Sequence, residues 1–346
     1  MPIYDQAENE AALARLCDSL TSNRVVGVVG AGLSNWAGYD TWDAVLGRLG
    51  DAVTAVTGNA NVAAEIRRLN TNKLFQAQRL GDRLGETAFQ EFIRREFALP
   101  GKPLHQVLKT FAKLPIPHIL TLNFDLSCEL GHDAAGAPYR ALSTADCQAQ
   151  LAFLAECNLP NALKMILHVH GIFTDPIGSI ALHYQRYRSL YTDTPLKKLI
   201  WSVYMSRPIL FAGFSFTDPY YCQELRTCAD DVRHDLGLDP PNRHFAILQV
   251  PFNGETDERI IRQTFANEYL VDPVFYERRI AVDPLECHGG FTELIHEIAQ
   301  RLNVVVPIAV LPTAIEAQNP PSDEDEAQRE RLVVQMLHRV EREREQ

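Results

Sequence analysis

No CxxC pair occurs anywhere in the 346 residues, and the seven cysteines, Cys17, Cys128, Cys147, Cys157, Cys222, Cys228 and Cys287, form an odd and scattered set. Neither a disulfide framework nor a four-cysteine zinc site can be assembled from them, so no metal is expected and the thiols read as small buried hydrophobes. Basic runs are also missing. Short stretches such as Arg94-Arg95 and Arg278-Arg279 are all there is in a chain of net charge −11, which argues against direct nucleic-acid binding by the main domain. Long apolar runs are missing too: 25–33 and 304–311 fall well short of the roughly 20 residues that cross a bilayer. The acidic opening MPIYDQAENEAALARLCDSL has no apolar core of a signal peptide, so a cytosolic chain without a membrane span is expected. No internal repeats are visible.

What is present is ordinary globular material, 46% hydrophobic and 22% charged. Short apolar, β-branched runs at 25–29, 118–122, 165–169, 209–212 and 245–250 alternate with helical stretches. They are too continuously apolar to be half-solvated, and so predict an α/β fold with a Rossmann-like, doubly wound, mostly parallel sheet buried on both faces. Between the first two runs, about 41–113, apolar positions recur at helical spacing in AAEIRRL, NKLFQAQRL and FQEFIRREF. This predicts a helical insertion, either a cap beside a ligand site or a cover for the sheet. The main domain is expected over 1–303. Over 304–346 the prolines, the acidic SDEDE and AQRERLVVQMLHRVEREREQ predict a linker and a charged terminal helix, with Leu332, Val333, Met336, Leu337 and Val340 forming a narrow apolar stripe.

Chemistry-bearing residues gather at the carboxyl ends of four of these strands, where open α/β sheets bind ligands. VVGVVGAGLSNWAG runs from a strand into Gly30, Ala31, Gly32 and Ser34, a loop able to bring backbone N–H groups against phosphate oxygens. It lacks the third glycine of a dehydrogenase fingerprint and the GK[ST] of a P-loop. HILTLNFDL ends in Thr121, Asn123 and Asp125; Asp125 also suits a helix cap, whereas a buried Asn123 amide needs specific partners. MILHVHG carries His170, suited to general-base work, with His168 deeper on the same face as a structural residue. GFSFTDP offers Gly213, Ser215 and a capping Thr217 or Asp218. Together the four strand ends read as a nucleotide site.

The motifs GAGLS…AG, TLNFD, HVHG and GFSFTDP, in this order, resemble the signatures of sirtuin-like domains, in particular the bacterial branch of antiphage-defence NADases, over about residues 20–302. The Tyr39–Trp42 stretch occupies the place of the family's AG[LI]PxW with Asp40 instead of proline, and 181–191 resembles its tyrosine-bearing segment. The resemblance implies NAD as substrate. Gly30, Ala31, Gly32 and Ser34 would bind its pyrophosphate and ribose, with Thr121 beside them. Asn123 and Asp125 would hold the nicotinamide ribose and a water, His170 would act as base, and Gly213, Ser215 and Asp218 would contact the adenosine half.

The missing CxxC pairs separate the chain from the protein deacylases of that family, whose acyl-lysine cleft is built with a zinc lobe. The expected activity is therefore hydrolysis of the nicotinamide N-glycosidic bond. The alternatives are an NAD-dependent deacylase or ADP-ribosyltransferase, and a subunit that senses NAD or ADP-ribose without turnover. The resemblance also implies gating, through a homo-oligomer or a partner subunit such as a HerA-type ATPase or an Argonaute.

Overall fold

The computed structural model describes residues 5–59, 61–69, 72–98, 104–146, 148–157, 159, 163–182, 184–192, 194–236, 243–250, 258–279 and 284–305. Cys147 and, from residue 306 on, the expected linker and charged helix lie outside the described residues.

Seven strands form one sheet: β1 (Val26–Val29), β2 (His118–Thr121), β3 (Tyr139–Ser143), β4 (Lys164–His168), β5 (Ile209–Ala212), β6 (His244–Gln249) and β7 (Val271–Tyr276). Their order is β3-β4-β2-β1-β5-β6-β7, and every pairing is parallel. The five expected strands occupy the centre of this sheet; β3 and β7 are additional and lie at its two edges.

Strand pleating divides the apolar side chains between two cores. Val26 and Val28 point into one, together with the helices Ala149–Cys157, Pro195–Ser206 and Pro219–Leu236. Val25 and Val29 point into the other, together with Gln6–Thr21, Gln106–Lys113 and Gly289–Arg301. Because both faces are covered, a strand such as VGVV is buried at every position, which is why period-2 alternation is absent from the central strands.

The insertion is helical throughout its described residues: Trp42–Thr57, Asn61–Leu69, Lys73–Leu84, Glu86–Ala98 and Gln106–Lys113. Side chains start these helices where the sequence supplies acceptors. The Thr41 hydroxyl accepts from Ala44 N, and Asn72 Oδ1 accepts from Phe75 N at 3.0 Å. Gly58, at φ 66°, ends the first of them in the left-handed conformation. The last helix covers the sheet through Leu108 and Phe111, while Trp42, Lys73 and Phe97 from the others border the cleft described next, so the segment is partly cover and partly wall.

Candidate functional site

The register sets Ser143, His168, Thr121, Val29 and Ala212 in one row across β3, β4, β2, β1 and β5. The residues that follow each strand therefore emerge level with one another. From β1 the chain leaves toward β2, and from β5 it leaves toward β6 on the opposite side, so the adjacent strands β1 and β5 mark the topological switch point of the sheet. Diverging loops open a crevice at such a point.

A cleft of about 440 Å³ lies there. Of the residues expected from the sequence, Gly30, Ala31, Ser34, Asn123, Asp125, His170, Ser215 and Asp218 border it. Gly32, Gly213 and Thr121 do not, and each acts from behind the wall. Thr121 Oγ1 accepts from Asn123 N at 3.2 Å and so shapes the turn that carries Asn123.

The two glycines hold the β1 and β5 loops together. Gly30 N donates to Ala212 O at 3.1 Å, and Gly32 N donates to Gly213 O at 2.9 Å. A Cβ on Gly30 would stand 2.6 Å from Gly213 O, and one on Gly32 would stand 2.9 Å from Gly213 Cα. The sequence reading aimed these amides at a phosphate; in the structure the amides of Gly30 and Gly32 are committed to the neighbouring strand end, and the glycines allow two backbones to touch. Gly213 itself sits at φ 61°, and a Cβ there would be driven against the Leu33 amide. Gly213→Ala should lower unfolding free energy by at least about 2 kcal/mol in a urea titration, from left-handed strain plus overlap. Gly47→Ala, inside a helix with open space around the added methyl, should raise it by up to about 1 kcal/mol.

Asn123 and Asp125 leave β2 on a turn buried to 6% and 4% exposure. Asn123 Nδ2 donates to Gly30 O at 3.1 Å, which ties the β2 turn to the glycine loop and presents Oδ1 as the amide's accepting end. The Asn123 carbonyl accepts from His168 Nδ1 at 3.0 Å, and His168 Nε2 faces Glu129 Oε1 at 2.7 Å, with both side chains fully enclosed. Burial alone would lower the His168 pKa, but the Glu129 carboxylate and these hydrogen bonds raise it above its ordinary value. His168 is thus structural, as read from the sequence, and supports the backbone of Asn123.

The N-cap position of the helix Ser127–Ala135 is Leu126 and not Asp125, which stands one residue earlier, borders the cleft and accepts from Ser127 N through Oδ1 at 2.9 Å. Burial pushes its carboxyl above the usual range, against the pull of the nearby Ser34 hydroxyl and of the Ser127 N–H. Phe124, between these two residues, packs against Trp42 and Phe97 of the inserted helices, with ring centroids 6.1 and 5.9 Å away.

His170 follows β4 and is 5% exposed. Its Nδ1 lies 3.2 Å from Leu122 O, an atom that only accepts, so Nδ1 carries the proton and Nε2 the lone pair. Burial lowers the pKa of this imidazole, and Asp218, with Oδ2 at 4.0 Å from Nε2, opposes that shift. Asp218 also caps the helix Pro219–Leu236, its Oδ1 accepting from Tyr221 N at 2.8 Å. Sequence reasoning placed Asp218 beside the adenosine half of a ligand; the structure stands it next to His170. The Ser215 hydroxyl pairs with that of Thr217 at 2.7 Å.

Residues 117–274 match the sequence model of a family described as SIR2-like domain. The chain carries a SIR2-like domain. The matched span begins one residue before β2, so it takes in the turns bearing Asn123, Asp125, His170, Ser215 and Asp218. The glycine loop after β1 precedes the match and joins the SIR2-like domain through the Gly30, Gly32 and Asn123 hydrogen bonds. SIR2-like domains use NAD, and the chain is accordingly assigned to NAD-using enzymes. Among the described residues, no helix is long and apolar enough to cross a membrane.

Sequence reasoning missed several residues around the cleft. Asn72, Lys73 and Phe97 border it from the inserted helices, and Trp42, named above only as part of a motif, borders it as well. Tyr187 borders it and Tyr191 lies behind His170; their signal was the spacing of Tyr184, Tyr187 and Tyr191, which puts three tyrosines on one helical face.

Proposed function

We propose that the chain is an NAD glycohydrolase that cleaves the nicotinamide N-glycosidic bond to give nicotinamide and ADP-ribose. One observation carries the reading: Asn123 and Asp125 from the end of β2 and His170 from the end of β4 border a single cleft, with the His170 lone pair on Nε2 and its pKa lowered by burial.

In such a reaction nicotinamide leaves with the bonding electron pair as a neutral molecule, so its departure requires little acid catalysis. Positive charge develops on the ribose. Asp125, held in poorly solvated surroundings, is placed to stabilise that charge, and Asn123 Oδ1 is placed to orient a water toward the anomeric carbon. As the water oxygen bonds to that carbon, one of its protons passes to a base, the role given to His170. Gly30, Ala31, Ser34 and Ser215 are left to face the phosphates and riboses. Lys73, the one Lys or Arg among the described residues of the lining, holds Asp43 at 2.9 Å and is the cation that would turn to complement the diphosphate.

The lack of CxxC pairs favours water over acyl-lysine as acceptor. Unchecked NAD loss would harm the cell that makes such an enzyme. Together with the resemblance to defence NADases, this supports a gated antiphage effector that depletes NAD, released by self-assembly or by a partner such as a HerA-type ATPase or an Argonaute.

The test is to incubate purified protein with NAD, alone and then with host lysate or candidate partners, and to quantify nicotinamide and ADP-ribose. Equal amounts of the two products without an acyl peptide are expected. Release that depends on an acylated peptide would assign a deacylase, label transferred to protein an ADP-ribosyltransferase, and NAD binding without products in every mixture a sensor.

A further inference from the structure

Both nitrogens of His170 are engaged by the protein. Nδ1 donates to Leu122 O at 3.2 Å, which leaves one lone pair on the ring, on Nε2; the Tyr191 hydroxyl lies 2.7 Å from that atom. An imidazole in this tautomer can only accept at Nε2, so the phenol is the donor. Tyr191 is buried and its pKa is raised far above the ordinary phenol value by burial and by Asp218, which keeps it protonated as that donor requires. A nitrogen with one lone pair cannot accept a second proton donor while the first is in place.

We propose that the Tyr191 hydroxyl is a cap on the base nitrogen of His170, which a water or ribose hydroxyl must replace before a proton can be transferred there. Tyr191 is then a positioning residue. It does not border the cleft, whereas His170, Asp218 and Tyr187 do. The inference rests on the hydrolase reading for its kinetic consequence and on hydrogen-bond geometry alone for the cap.

The groups facing the imidazole come from three elements. Tyr187 and Tyr191, with ring centroids 5.0 and 6.0 Å from His170, come from the helix Tyr184–Leu190 and its end. Asp218 comes from the loop after β5. The Leu122 carbonyl and the Phe124 ring come from the turn after β2, where Asp125 borders the same cleft. Two of them act in opposite senses. The phenol donates to the neutral ring and so favours the uncharged form; the carboxylate favours the imidazolium.

Two conservative variants separate these effects. Tyr191→Phe keeps a ring that packs on Tyr187, Tyr220 and Tyr221 and removes only the donor. Asp218→Asn removes the charge and keeps the Oδ1 acceptor that caps the helix through Tyr221 N. Nitrogen-15 NMR of histidine-labelled protein should find His170 protonated on Nδ1 in the wild type. Its titration should move to higher pH in Tyr191→Phe and to lower pH in Asp218→Asn. Nicotinamide release, compared at a pH above the three measured His170 titrations, should rise about threefold to tenfold in Tyr191→Phe, because a hydrogen bond of ordinary net strength no longer has to be exchanged. His170 protonated on Nε2 in the wild type, a titration that Tyr191→Phe leaves in place, or a fall in its release rate with the fold intact would overturn the cap. If no protein releases nicotinamide alone or in any mixture with lysate or candidate partners, the glycohydrolase reading fails, and the NMR titrations still decide for or against the cap.

Discussion

His170→Ala should lower the rate of nicotinamide release by a factor of about 10²–10⁴, the range that a positioned general base supplies. Asn123→Ala should lose a comparable amount for a different reason. Its amide nitrogen is fixed on Gly30 O, so Oδ1 has a defined direction, and removing the group leaves the water unoriented. Both changes sit on buried turns, so loss of rate has to be separated from loss of the site. Calorimetric titration with NAD does this: binding should persist in both variants while single-turnover cleavage disappears. If cleavage survives in His170→Ala at near wild-type rate, no base is needed at this position and the mechanism is wrong at that step. If binding vanishes along with cleavage in both, the two residues build the pocket.

Glu129→Ala should be strongly destabilising, costing about 3–5 kcal/mol, because it strips the partner from a fully buried histidine. The second oxygen, Oε2, makes no hydrogen bond among the described residues, so the compensation for burying this carboxyl is concentrated at the 2.7 Å contact with His168. Glu129→Gln should cost much less, since its amide can donate to a neutral Nε2. The two proteins should also differ in pH dependence. The folded-state pKa of His168 is raised above its unfolded value near 6.5, so the pair's contribution is fully present below about pH 6.5 and is lost as pH rises through the folded value. Urea titrations across that window should show wild type losing its advantage over Glu129→Gln as the pH increases. A constant difference would mean that the pair holds no extra proton in the folded state. Because His168 supports the Asn123 carbonyl, Glu129→Ala should also slow nicotinamide release at temperatures where it remains folded.

The central strands were legible because burial on both faces forces continuous apolar runs. The edge strands were not, for the same physical reason in reverse. β3, with sequence YRALS, alternates buried and half-buried positions and carries Arg140. β7, with sequence VDPVFY, contains Pro273, tolerated at an edge, and Asp272, which is 5% exposed and held by Arg15 at 2.8 Å. No local pattern announces an acid made acceptable by a helix more than 250 residues away. The candidate site divides along the same line. Asn123, Asp125 and His170 stand where apolar runs stop, a signal contained in a few residues. Phe97 and Lys73 reach the cleft only because helices pack in three dimensions, and their surroundings in the sequence match those of any amphipathic helix. The glycine loop was legible as a tight approach, but its counterpart proved to be Gly213 of the same chain, which sequence spacing does not reveal.

The wedge of Phe124 between Trp42 and Phe97 has a consequence for inheritance and for grafting. Because this one ring separates Asn123 from Asp125, the inserted helices and the β2 turn cannot be exchanged independently between related proteins. A chimera that imports a foreign 41–113 segment without this aromatic pair would keep an intact sheet and every reacting side chain, yet would set them at the wrong angle. The insertion is in this sense a component of the candidate site's alignment, so that a change in how its helices pack would reach the β2 turn without touching any residue of the sheet.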